Sequence, residues 1–95
     1  MKKVHKLIKE IKEELCGACK YAECYIIYKN TKSDWSRLYG EMASDELDHA
    51  SSLHKMGDDW LSTFSYMPEE DKEAWEHCGA MVAEKTAKVR LLLSK

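Results

Sequence analysis

Apolar residues recur along this chain at helical spacing in three blocks, separated by two short polar breaks. In the first block Val4, Leu7, Ile8, Ile11, Leu15, Ala18, Ala22, Tyr25 and Ile26 share a face, which predicts a helix over about 3–28. Asn30-Thr31-Lys32-Ser33 is a polar turn, and Ser33 or Asp34 is suited to cap the next helix. That second helix is expected over about 34–64, with Gly57 weakening or ending it early. Ser65-Tyr66-Met67-Pro68 breaks the pattern. A third helix over about 69–93 opens with a proline and three acids at the positive end of its dipole. Trp75, Cys78, Val82, Thr86, Val89 and Leu93 form its main face. The chain thus reads as one all-α domain, 1–95. Lys2, Lys3 and Lys6 oppose the dipole at the first helix start, so fraying is expected there.

The second block contains an exception. At heptad spacing it runs Trp35, Tyr39, Met42, Glu46, His49, Leu53, Met56, Trp60, and this stripe is expected to face the core. Glu46 and His49 interrupt it, three residues apart on one helix face. A carboxylate and an imidazole among apolar neighbours are costly unless paired, and a divalent metal is an economical partner.

The first helix supplies a test. In an antiparallel hairpin turning near Thr31–Lys32, residues at equal depth have numbers that add to about 63. Glu14 matches His49 in depth and lies within a turn of Glu46, while Glu23 sits about a turn nearer the loop. Glu14 also lines up with Leu7, Ile11, Ala18 and Tyr21 at the edge of the apolar arc, whereas Glu23 lies nearly opposite it. Glu14 is therefore the first-helix carboxylate expected to meet Glu46 and His49. The plain alternative is a surface ion pair of Glu14 with Lys9 or Lys12.

Composition narrows the remaining classes. With 34% charged and 44% hydrophobic residues and a formal net charge of -2, the chain reads as a soluble helical protein. No excess of positive charge points to nucleic acid, and no apolar run points to a membrane span. No apolar signal stretch follows Met1, so a cytoplasmic location is the expectation. Cys16, Cys19, Cys24 and Cys78 are then expected to be reduced, as small buried apolar residues.

The stretch Glu14-Leu15-Cys16-Gly17-Ala18-Cys19-Lys20-Tyr21 and the stretch from Tyr39 to His49, which carries Glu46-x-x-His49, resemble the half-site of ferritin-like and rubrerythrin-like di-iron carboxylate proteins. The resemblance covers roughly the first 60 residues. It implies a four-helix bundle in which two half-sites face each other. Only one Glu-x-x-His is present, so the chain holds half a centre, as in the short encapsulated ferritin-like proteins. The resemblance then implies a homo-oligomer, at least a dimer, whose two ferritin-like antiparallel hairpins complete the bundle. Glu14, Glu46 and His49, each twice, would hold two Fe, or Mn, per dimer and oxidise Fe(II) with oxygen or peroxide. In that scheme Glu46 bridges, Glu14 is terminal, His49 fixes the metal, and Tyr21 and Tyr25 are neighbours. Glu84 contributes only if the second face of the third helix packs inward, Glu76 is a weaker candidate, and His54 and His77 read as ordinary polar positions.

Two further classes compete. Cys16-x-x-Cys19 with His49 offers soft ligands for structural zinc, although Cys16 points away from the apolar arc. A helical assembly or adaptor protein with a structural or vestigial site keeps Glu46 and His49 as hydrogen-bonded polar contacts.

Overall fold

A computed structural model describes all 95 residues as three α-helices and no strands: α1 Lys2–Tyr28, α2 Ser33–Leu61 and α3 Glu69–Leu93. Helices α1 and α2 form an antiparallel hairpin. Tyr28 meets Trp35, Tyr21 meets Tyr39, and Leu7 lies against Gly57, so numbers rise on one helix as they fall on the other. The turn is closed by the Lys32 N–H donating to the Tyr28 carbonyl. Ser36 reinforces it: its buried hydroxyl donates to the Tyr25 carbonyl at 2.7 Å, satisfying an acceptor near the α1 C-terminus. The N-cap of α2 is Lys32, without a side-chain cap, so neither Ser33 nor Asp34 caps it. Asp34 instead places its charge in the first turn, where the dipole favours it.

Helix α3 runs antiparallel to α2, with Trp75 beside Gly57, Gly79 beside His54 and Leu93 beside Gly40. Overall dimensions of 53 × 17 × 16 Å leave room for two helical layers, the hairpin and α3 on one of its faces. The core is Val4, Leu7, Ile8, Ile11, Leu15, Ala18 and Ala22 of α1, Ala43, Leu47 and Ala50 of α2, and Trp75, Cys78 and Val89 of α3. The main face expected for α3 is the one that packs, whereas Ala80, Ala83, Glu84, Ala87 and Leu91 face outward.

The structure departs from several expectations. The heptad stripe of α2 is not the core. Its members are partly exposed, Trp35 at 46% and Met56 at 56%, and the buried line is Ser36, Ala43, Leu47, Ala50 and Gly57, one residue further along. All but Leu47 on that line are small, and at Gly57 the neighbouring Trp75 and Leu7 side chains leave no room for a Cβ. Among the cysteines only Cys78 is buried. The α1 start is also tied down: the Met1 amino group donates to Asp71 at 3.0 Å, and His5 Nε2 lies 2.9 Å from the other Asp71 oxygen. The bond from that amino group is the main cause holding the Asp71 carboxyl below its ordinary range.

Gly57 does not end α2, which continues to Leu61 and closes through Ser62 and Thr63. The glycine is a packing requirement. A Cβ there would overlap the Trp75 ring and the Leu7 side chain, and Trp75 is held by its indole N–H donating to Asp58 at 2.7 Å. Gly57→Ala is expected to destabilise the protein by about 1–3 kcal/mol in denaturant unfolding, outweighing the roughly 1 kcal/mol helix-propensity gain. A stabilised variant would contradict this packing.

Candidate metal centre

The hairpin has two long faces, and α3 covers one. Along the other, α2 presents Tyr39, Met42, Glu46, His49, Leu53 and Met56, and α1 contributes Leu7, Glu14, Gly17 and Tyr21. Near the middle, Glu14, Glu46 and His49 converge: one ligand atom from each lies within 4.8 Å of the other two. His49 Nδ1 is 3.3 Å from Glu14 Oε2 and 3.9 Å from Glu46 Oε1. The depth and face argument from sequence thus selected the carboxylate that meets the Glu-x-x-His pair. Glu14 makes no ion pair with Lys9 or Lys12.

The surroundings are less dry than the stripe suggested. Within one chain the side chains of Glu14, Glu46 and His49 are 28%, 27% and 59% exposed. They sit on an uncovered face rather than in an interior. The two carboxyl groups nevertheless act on one another. The Glu46 carboxyl is raised above its ordinary value, chiefly by hydrogen bonding with Glu14, then by burial and the Glu14 charge, with His49 pulling the other way. Two carboxylates at this range resist ionising together, and a bound cation removes the conflict. Neither carboxylate pairs with a lysine or arginine, and His49 is their basic partner.

Gly17 completes the site, and its role was not read from the sequence. A Cβ at residue 17 would stand 2.9 Å from Glu46 Oε2, so the absent side chain makes room for the carboxylate. A glycine in mid-helix costs stability, which was the available signal. Gly17→Ala displaces only the flexible end of Glu46. The variant should match or exceed the wild-type Tm while binding Mn(II) about tenfold more weakly, read by calorimetric titration. Unchanged affinity would remove Gly17 from the site.

Other candidates lie elsewhere. Cys16 and Cys19 line the groove between α1 and α3 and do not join His49, so the mixed thiolate–histidine zinc site is not formed. Glu76, His77 and Glu84 are exposed on α3 outside the cluster. His54 stacks on Trp75 with ring centroids 4.7 Å apart. Tyr21 packs near Tyr39 in an aromatic row with Tyr28 and Trp35, while Tyr25 packs against Gly40; neither Tyr21 nor Tyr25 hydrogen-bonds to the cluster.

In comparison with known proteins, no family model, no curated protein and no solved structure matches this chain. No helix is long and apolar enough to cross a membrane.

Proposed function

We propose that the chain binds divalent metal of the iron or manganese class through Glu14, Glu46 and His49 and that two copies, related by a two-fold axis, face each other across this site. The two hairpins then form a four-helix bundle of ferritin-like type, with α3 outside. The observation that carries the reading is the approach of three donors from two helices within 4.8 Å. Oxygen and nitrogen donors of this kind suit hard-to-borderline ions and leave positions open. The donor set fits such an ion: two carboxylates that repel when both are ionised and one imidazole with its Nδ1 turned toward them.

Three side chains are a partial set for an ion that takes about six ligands, and the face that carries them has no cover in one chain. A second copy supplies both the missing donors and the cover. The site residues bind and position: Glu14 and Glu46 balance charge, His49 orients, and the paired faces exclude water. When bound, the metal would supply the redox chemistry, the one-electron oxidation of Fe(II), while Glu14, Glu46 and His49 would hold it.

Aerobic addition of Fe(II) tests this. A ferric absorbance band should grow faster than in the buffer blank and be absent with Glu46→Ala. One observation favours a second reading, a helical assembly or adaptor protein with a structural or vestigial site: His49 and Glu14 already satisfy one another at 3.3 Å without a metal. No oxidation above the blank, together with no Mn(II) binding, would leave that reading standing.

A further inference from the structure

A row of aromatic rings leads away from the cluster along the uncovered face. Tyr21 meets Tyr39 with ring centroids 6.0 Å apart, Tyr39 stacks on Tyr28 at 5.8 Å, and Tyr28 meets Trp35 edge-on at 5.3 Å. Each spacing is that of rings in direct contact. The inner end of the row reaches the cluster through Gly17. Glu46 Oε2 lies over that glycine, and Tyr21 follows it by one turn on the same face. Helical side chains lean toward the N-terminus, so the Tyr21 ring leans toward the Glu46 carboxylate. The outer end is Trp35, exposed in the first turn of α2 beside a cleft that it lines with Leu38 and Tyr39. The turn closes one end of the hairpin, so Trp35 is reached from that end even where a second copy covers the long face. Packing alone would be served by phenylalanine. All four members of the row are instead side chains that can give up one electron.

We infer that Tyr21, Tyr39, Tyr28 and Trp35 form a one-electron relay from the hairpin turn to the metal centre, fed at Trp35 by a small reductant of the ascorbate class. The inference rests on the metal site proposed above, and the reaction it serves is the reduction of hydrogen peroxide. Peroxide takes two electrons and two protons to become two waters. A bound Fe(II) supplies one electron, Tyr21 supplies the second with its phenolic proton, and solvent supplies the other proton. Tyr39 then refills Tyr21, Tyr28 refills Tyr39 and Trp35 refills Tyr28, each half-buried tyrosine exchanging its proton with solvent. One electron from ascorbate restores Trp35. The Lys32 ammonium, 4.3 Å over the Trp35 ring, disfavours a positive charge there, so the electron vacancy rests on the tyrosines until a reductant arrives.

The first arm of the test needs no metal. A ruthenium photo-oxidant is tethered to Asp34→Cys, beside Trp35, in a full chain carrying Cys16→Ala, Cys19→Ala and Cys24→Ala, with the buried Cys78 left in place. After a flash, transient absorption should show a tryptophan radical passing into a tyrosyl radical. With Tyr28→Phe, which keeps the ring and its packing, the tryptophan radical should persist. The second arm gives the untethered chain Fe(II), hydrogen peroxide and ascorbate. Wild type should consume one ascorbate electron per peroxide. Tyr39→Phe and Trp35→Phe should lose that consumption while binding Mn(II) as wild type does in calorimetric titration. Circular dichroism establishes that each variant is folded. A tryptophan radical that decays alike with and without the Tyr28 hydroxyl, or ascorbate consumption untouched by Tyr39→Phe, would overturn the relay. A wild type that passes the first arm yet binds no Mn(II) would instead overturn the metal site, and the peroxide chemistry with it.

Discussion

Glu46→Ala is expected to remove metal binding and to stabilise the metal-free protein at neutral pH. The first effect comes from the geometry, because Glu46 is one of only three donors and its loss should weaken Mn(II) or Fe(II) binding by at least about 100-fold. The second comes from the raised Glu46 carboxyl. A carboxyl raised in the folded state favours folding while protonated, and this contribution is lost as pH rises through its raised value. Wild type should therefore lose ground relative to Glu46→Ala above the ordinary carboxyl value of 4.5, and the two should converge below it. Asp71 works in the opposite sense: its lowered carboxyl contributes stability that disappears only as pH falls through the lowered value. Both proteins share that acid-side loss, so the difference between their Tm profiles isolates Glu46. Added Mn(II) should raise the wild-type Tm alone. A Glu46→Ala variant that is less stable at neutral pH would show the pair to be a favourable contact.

Met56→Glu is expected to separate dimer from monomer without unfolding the chain. Met56 is 56% exposed in one chain, on the face we assign to the partner, so a carboxylate there costs an isolated monomer little. Across a two-fold interface the same change buries one charge on each copy, and the dimer dissociation constant should rise by roughly 100-fold or more. Light scattering at micromolar concentration reads the change in mass, and circular dichroism checks that the helices persist. Because the proposed site needs both copies, Fe(II) oxidation should fall with dimer content. Full oxidation by a monomeric Met56→Glu variant would place the whole centre within one chain.

The helices were legible because their periodicity spans many turns, and the observed α3, Glu69–Leu93, coincides with the range expected from it. The α2 end was less so. Phe64 continues the apolar pattern, but the chain leaves the helix at Leu61, where Ser62 and Thr63 turn their hydroxyls onto the carbonyls of Asp59 and Trp60. The burial of α2 was misread by one residue for a physical reason. Large side chains dominate a periodicity, yet the buried positions of α2 are mostly small, Ser36, Ala43, Ala50 and Gly57 beside Leu47. The sequence could not say which hairpin face α3 would take, so an uncovered face was mistaken for an interior. Glu14 was found because depth and direction on a hairpin are both geometric. Gly17 and the Asp71 clamp were not, since each depends on a contact with another helix that no local pattern records.

Crystals soaked in Fe(II) without oxygen, with anomalous scattering at the iron edge, address the central claim most directly. Two iron peaks are expected between two copies of the chain, each within bonding distance of Glu14, Glu46 and His49. Iron bound elsewhere, or these side chains facing open solvent with no second copy across from them, would contradict it.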